Sequence, residues 1–137
     1  MRVVVVGSNP SGRSPDQTPF HPSTRSGKIV REWLSAVPGC EFVNVSDEPT
    51  PENRALKTSE IKANLDSLEQ KLAGADGVVT VGRIAERAVE LLDERVKCDV
   101  FLELPHPSGR CRWWNNPEAH NQRCEAIFSF IEELRKP

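Results

Sequence analysis

One histidine stands between two prolines, in Pro105-His106-Pro107-Ser108-Gly109-Arg110. Proline locks φ, so this imidazole is held on a stiff backbone. Taken alone, the segment reads equally well as a surface turn whose histidine only bonds backbone. A second segment, Gly7-Ser8-Asn9-Pro10-Ser11-Gly12-Arg13, follows a short apolar run and invites a phosphate-cradling reading. That reading fails on spacing. A P-loop needs Gly, four residues, then Gly-Lys-Ser/Thr. The one Gly-Lys pair, Gly27-Lys28, has Pro22 in place of the first glycine and Ile29 in place of the hydroxyl. GxGxxG is absent too. The cysteines Cys40, Cys98, Cys111 and Cys124 contain no CxxC pair, whereas zinc and iron–sulfur sites draw two ligands from one knuckle. They read as reduced, mostly buried thiols, with Cys124 on the apolar stripe of a helix and Cys98 leading into a strand.

The elements that must position these segments alternate. Residues 2–6 are a β-branched run that suggests a strand buried on both faces. Residues 7–24 are too rich in Gly, Pro, Ser and Thr for regular structure, and a loop that long in a compact domain is usually functional. Ile29, Val30, Trp33, Leu34 and Val37 share one face of a helix over 25–37, stopped by Pro38-Gly39. A strand over 41–45 and an acidic, Pro-rich loop over 46–58 follow. Ile61, Leu65, Leu68 and Leu72 mark a second helix, 77–82 a third strand, 84–92 a third helix and 100–104 a fourth strand. After a polar loop over 105–116, Asn116-Pro117-Glu118 is a strong helix start. Cys124, Ile127, Phe128, Ile131 and Leu134 carry that last helix. The β-α alternation implies an α/β domain, a mostly parallel sheet with helices on both faces. Ligands in such sheets bind at the carboxyl ends of the strands, where the loops after strands one and four lie. No repeat or domain boundary interrupts residues 1–137.

Together these loops resemble the uracil-DNA glycosylase superfamily, most like its mismatch-specific and single-strand-selective branches. Gly7-Ser8-Asn9-Pro10-Ser11 is similar to that family's first motif in its Asn form. His106-Pro107-Ser108-Gly109-Arg110 is similar to its last, in the His-Pro-Ser-x-Arg form. Pro19-Phe20-His21-Pro22 resembles the Pro-Phe segment whose ring stacks on the extruded base, and Asn44 matches the asparagine that reads a pyrimidine edge. The resemblance spans nearly the whole chain in order. It implies a three-layer α/β/α sandwich with a four-stranded parallel sheet in order 2-1-3-4. It also implies a monofunctional glycosylase acting on uracil or a related damaged base flipped from single- or double-stranded DNA, with no metal or redox cofactor.

The resemblance places Asn9 and His106 at the chemistry, and Gly7, Ser8, Pro10, Phe20 and Asn44 around the base. An amide takes no proton near neutral pH, so Asn9 would orient water rather than act as a base. His106 would donate a hydrogen bond to the base oxygen that gains charge. Each residue has a plainer alternative: Asn9 as a turn cap, Phe20 as a core plug beneath the long loop, Asn44 facing solvent. Arg110 stands where many relatives place a wedging leucine, with Trp113 or Trp114 as alternative wedges. Asp16 is the nearest loop carboxylate to Asn9 in sequence and could supply the base or charge stabilisation that Asn9 cannot, but it reads first as a solvated turn residue. Residues 11–18 are candidates for the group that would exclude thymine.

The 137 residues are 37% hydrophobic and 28% charged, with net charge −2. That is enough chain to bury a core without disulfide or metal staples. No apolar run reaches the ~18 residues of a membrane span, and the first residues lack the basic n-region and cleavage site of a signal peptide. A cytoplasmic monomer is the expectation. Slight acidity does not speak against DNA, because phosphate contacts depend on local Lys and Arg. Arg13, Arg25, Arg83, Arg87, Arg110 and Arg112 all fall at the carboxyl edge of the sheet, with Ser108, Gly109 and Trp113 among the expected DNA contacts, while Asp47, Glu48 and Glu52 fall in the loop after strand two. The alternative to an enzyme is an inactive nucleic-acid- or nucleotide-binding module on the same fold.

Overall fold

The computed structural model describes residues 1–10, 19–107 and 116–136. Four strands, β1 (Val3–Gly7), β2 (Cys40–Asn44), β3 (Gly77–Val81) and β4 (Phe101–Leu104), form one sheet in the order β2-β1-β3-β4. Every pairing is parallel. Among the described residues four α-helices lie in the connections, α1 (Arg25–Trp33), α2 (Thr58–Ala63), α3 (Leu65–Leu72) and α4 (Arg83–Leu92), and a fifth, α5 (Pro117–Arg135), follows β4.

The layers follow from alternation along β1. Val3 and Val5 face α1 and α5, packing with Val30, Leu34, Ile127 and Phe130. Val4 and Val6 face α2, α3 and α4, packing with Ile61, Leu68, Ala88 and Leu92. All four valines are 0% exposed. Burial on both faces explains why the run is β-branched throughout rather than alternating. Each fully buried valine contributes roughly 1.5–3 kcal/mol by removing apolar surface from water. Among the described residues, no helix is long and apolar enough to cross a membrane.

Several elements differ locally from the sequence expectation. Helix α1 ends at Trp33 rather than residue 37. Over 34–37 the bonds tighten to i→i+3, from Ser35 to Glu32 and from Val37 to Leu34, a common way to finish a helix, and Leu34 and Val37 remain buried. The expected single helix over 61–72 starts at Thr58 and breaks at Asn64. The Asn64 side chain donates to the Glu60 carbonyl at 2.7 Å, so a short polar side chain competes with the backbone ladder.

On α5 the buried stripe is Ala119, Arg123, Ile127, Phe130 and Leu134. Phe128 and Cys124, expected on the apolar face, lie one position round and are exposed, Phe128 at 64%. Arg123 takes the inner place because its guanidinium stacks 4.2 Å above the Trp33 ring. The thiols are correspondingly less uniform than expected: Cys98 is buried, Cys40 half-buried and Cys124 exposed, all three unbridged, while Cys111 lies outside the described residues. Burial raises the pKa of Cys40 and Cys98, which makes both poor nucleophiles.

The start of α5 is as expected. Asn116 accepts the Ala119 N–H at 2.8 Å and Pro117 opens the helix. Asn116→Ala should therefore lower stability by about 0.5–2 kcal/mol in urea melts.

Candidate functional site at the carboxyl edge of the sheet

Strand β1 delivers the first motif. Its last residue, Gly7, pairs in register with Asn44, the last residue of β2. The pairing continues past the strands, because the Gly7 and Ser8 carbonyls accept from the Val45 and Ser46 N–H groups at 2.9 and 3.0 Å. Gly7 and Pro10 are buried, while Ser8 and Asn9 are half-buried.

Three candidates meet at Gly7. A Cβ there would stand 2.6–2.7 Å from the edge of the Phe20 ring and 2.8 Å from the Asn44 side-chain oxygen. Only a residue without a side chain lets ring and amide approach so closely. Asn44 is 3% exposed, so it does not face solvent. Among the described residues its side-chain amide forms no hydrogen bond, although the one fully buried side-chain polar atom there without a partner is Thr80 Oγ1 on β3. Its backbone is fixed from below: Lys71 on α3 donates to the Asn44 carbonyl and to Asp47, both at 2.9 Å.

Phe20 is half-buried. Its ring lies 5.9 Å from the Phe42 ring at 60°, so one side packs against the core while another meets Gly7. It is thus partly the core plug that sequence allows and partly a wall beside Asn44.

Asn9 is held at both ends of its amide. Ser8 Oγ donates to Asn9 Oδ1 at 2.9 Å. Asn9 Nδ2 reaches the Glu48 carbonyl and Thr50 Oγ1, each at a long 3.4 Å. Thr50 in turn donates to the Arg54 carbonyl at 2.5 Å, and Arg54 forks onto Glu60 at 2.6 and 3.1 Å. The Arg54 guanidinium and the Lys57 N–H hold the Glu60 carboxyl down at about 2. This brace therefore stays ionised at any pH near neutral.

His106 follows β4 on the same edge of the sheet, with β3 between β4 and β1. It packs over the end of β3, its Cβ 3.1 Å from where a Gly82 side chain would begin. The residue as a whole is exposed. Enough protein surrounds the ring, however, that desolvation lowers its pKa below the ordinary 6.5. Burial disfavours the imidazolium, so the ring is neutral at pH 7.

The structure thus brings Gly7, Phe20 and Asn44 into contact, sets Ser8, Asn9 and Pro10 immediately beyond, and stands His106 farther along the same edge. Arg25 is exposed at the first residue of α1, and Arg83 and Arg87 are exposed in the opening turns of α4. Arg13, Asp16, Ser108, Gly109, Arg110, Arg112, Trp113 and Trp114 lie outside the described residues. Sequence reasoning missed Thr50, Lys71 and Arg31, and weighed Gly27 only within a P-loop match that failed. Only Thr50 carried a signal, as a hydroxyl in a Pro-rich loop that must return to the sheet edge. Among the described residues no group of three or more His, Cys, Asp or Glu could hold a metal ion.

Sheet order, all-parallel pairing and a polar, aromatic-walled edge at the carboxyl ends define an α/β domain whose site is assembled from the loops after its strands. Compared with models of known protein families, residues 1–135 match the uracil DNA glycosylase superfamily. The chain belongs to that superfamily, whose members act on DNA. No curated protein matches it.

Proposed function

We propose that the protein is a monofunctional DNA glycosylase that hydrolyses the N-glycosidic bond of uracil, or of a related damaged or modified base, flipped out of DNA. The observation that carries this reading is the meeting of Gly7, Phe20 and Asn44, which sets an unbonded amide beside an aromatic wall. An amide offers donor and acceptor together, matching a pyrimidine edge with N–H beside C=O. Stacking on Phe20 would be worth roughly 1–3 kcal/mol.

In hydrolysis, water adds its oxygen to the sugar carbon and releases a proton to solvent, while the base leaves with the bonding electron pair and takes up a proton from solvent after release. Asn9, held by Ser8 and Thr50, orients that water without taking its proton. Neutral His106 donates a hydrogen bond to the base oxygen that gains charge. A neutral donor suits this role, since it stabilises the leaving anion without bringing a cation to be desolvated. The products are a free base and an abasic site.

The reading is tested with labelled single- and double-stranded oligonucleotides containing uracil, hypoxanthine, xanthine or 5-substituted uracils, followed by alkaline cleavage at abasic sites. Scission that disappears in Asn9→Ala and His106→Ala supports the enzyme. The second reading, an inactive nucleic-acid- or nucleotide-binding module, has one observation in its favour: the Asn9 amide is already engaged by the protein at both ends. Tight DNA binding with no scission of any base would establish that reading instead.

Arg25 gives a separate check on the partner. A cation in the first turn opposes the helix dipole, and α1 has no acidic residue there to offset it. Arg25→Glu should raise stability by about 0.3–1 kcal/mol while weakening oligonucleotide binding and flattening its salt dependence. Titration at two salt concentrations beside a thermal melt measures both; weaker folding with unchanged binding would contradict the assignment.

A further inference from the structure

Phe20 is one of three non-glycine residues with positive φ among those described, at +51°. An L-residue there is strained, and such strain persists only where its surroundings over-determine it. The surroundings are specific. Arg31, in the last turn of α1, donates from Nε to the Phe20 carbonyl at 2.6 Å and from Nη2 to the Pro19 carbonyl at 3.4 Å. The same guanidinium lies 4.2 Å from the centre of the Phe42 ring, and Phe42 is the ring that packs against Phe20. One planar cation therefore holds the Phe20 turn by its carbonyls and its ring by way of Phe42.

We infer that Arg31 is a positioning residue: it clamps the strained Phe20 turn between its guanidinium and Phe42, so that the Phe20 ring stays against Gly7 beside Asn44 and sets the affinity for the extruded base. A stacked, two-point grip of this kind needs arginine, because lysine offers a single point charge with no plane to lay on a ring. The clamp itself is independent of the reaction; its effect on base affinity rests on the glycosylase reading.

Two measurements on the full chain separate these parts. The first is the NMR cross-peak between the Phe20 ring protons and Gly7 Hα, with the ring-current shift of that Hα. It is expected in the wild type, lost in Arg31→Ala and partly kept in Arg31→Lys. The second is kinetics on a uracil oligonucleotide. Arg31→Ala should raise KM about tenfold with kcat within about threefold, as loss of one stacking contact requires, and Arg31→Lys should recover part of the loss. If Arg31→Ala does not fold, Phe42→Leu, which leaves both hydrogen bonds but removes the ring beneath the guanidinium, should weaken the cross-peak and raise KM in the same direction. An unchanged cross-peak in Arg31→Ala overturns the clamp. A lost cross-peak with unchanged KM overturns its role in base affinity. A wild type that excises nothing sinks the glycosylase reading, while the cross-peak still decides the clamp.

Discussion

Replacing His106 by alanine is expected to slow base release by ~10²–10³-fold, the usual loss when one preorganised donor to a developing anion is removed, with little change in KM. Two features of its setting sharpen this. Among the described residues no hydrogen bond or ion pair ties the ring down, and its pKa is lowered by desolvation alone. The imidazole therefore keeps one neutral N–H for the substrate. The midpoint of any inflection from this group should lie below pH 6.5. A histidine paired with a carboxylate would instead titrate above 6.5 and bend the profile there.

Stability follows with a definite sign. The folded pKa lies below the unfolded value near 6.5, so the unfolded chain binds the proton first as pH falls. Above 6.5 both states are neutral and His106 contributes no pH dependence. Below it, stability is lost progressively down to the folded pKa and then levels. His106→Gln should remove that part of the acid loss in urea melts run between pH 7 and 5. If His106→Gln and wild type lose stability in parallel, the desolvated neutral ring is wrong. If His106→Ala excises uracil at the wild-type rate, its catalytic role is wrong.

The second large effect concerns a glycine that sequence reasoning weighed only within a failed P-loop match. Gly27 lies inside α1, where alanine ordinarily gains up to about 1 kcal/mol in helix propensity. Here the expected sign is reversed. A Cβ at Gly27 would stand 2.2 Å from the His21 carbonyl oxygen and 2.6 Å from the Phe20 carbonyl. Those atoms are backbone and cannot swing aside. They are also tethered: Thr24 Oγ1 donates to His21 O at 2.7 Å while accepting the Gly27 N–H at 3.1 Å. Gly27→Ala must push the Phe20 turn off the helix, and should destabilise by about 1–3 kcal/mol net of any propensity gain. Thermal and urea melts measure this directly. The same displacement carries the Phe20 ring away from Gly7, so weaker base affinity should accompany it. A stabilised Gly27→Ala would mean that α1 does not touch the loop as described.

How much of this was legible depended on the range of the interaction concerned. The β1 valines and the Asn116-Pro117-Glu118 start are local signals, and both held. The α/β alternation fixed the carboxyl edge as the place to look, and the family resemblance supplied the strand order. The break at Asn64 was not legible, since the choice between continuing a helix and bonding Glu60 O is a small local balance. The depth of Asn44 was not legible either, because β2 is an edge strand paired only with β1, and Phe20, which meets Asn44 at Gly7, comes from a distant loop that alternation cannot show. Arg123 reads as a surface charge until Trp33 is placed beneath it. The contacts of Arg31 and Gly27 were invisible for a related reason. Their partners are carbonyls at the far end of an irregular loop, and carbonyls have no sequence.

The four valines of β1 also divide the molecule by mobility. This strand is hydrogen-bonded on both sides and sealed on both faces, so the amides of Val4, Val5 and Val6 should exchange with solvent only when the whole domain unfolds. The Phe20 turn has no such ladder; a few side-chain bonds and one stacked cation hold it, and it can open by itself. One wall of the site is therefore continuous with the most slowly exchanging part of the protein, and the other is a locally opening unit. Protection measured along residues 1–44 should fall steeply between Val6 and Phe20, and a bound base should slow exchange on the Phe20 side alone.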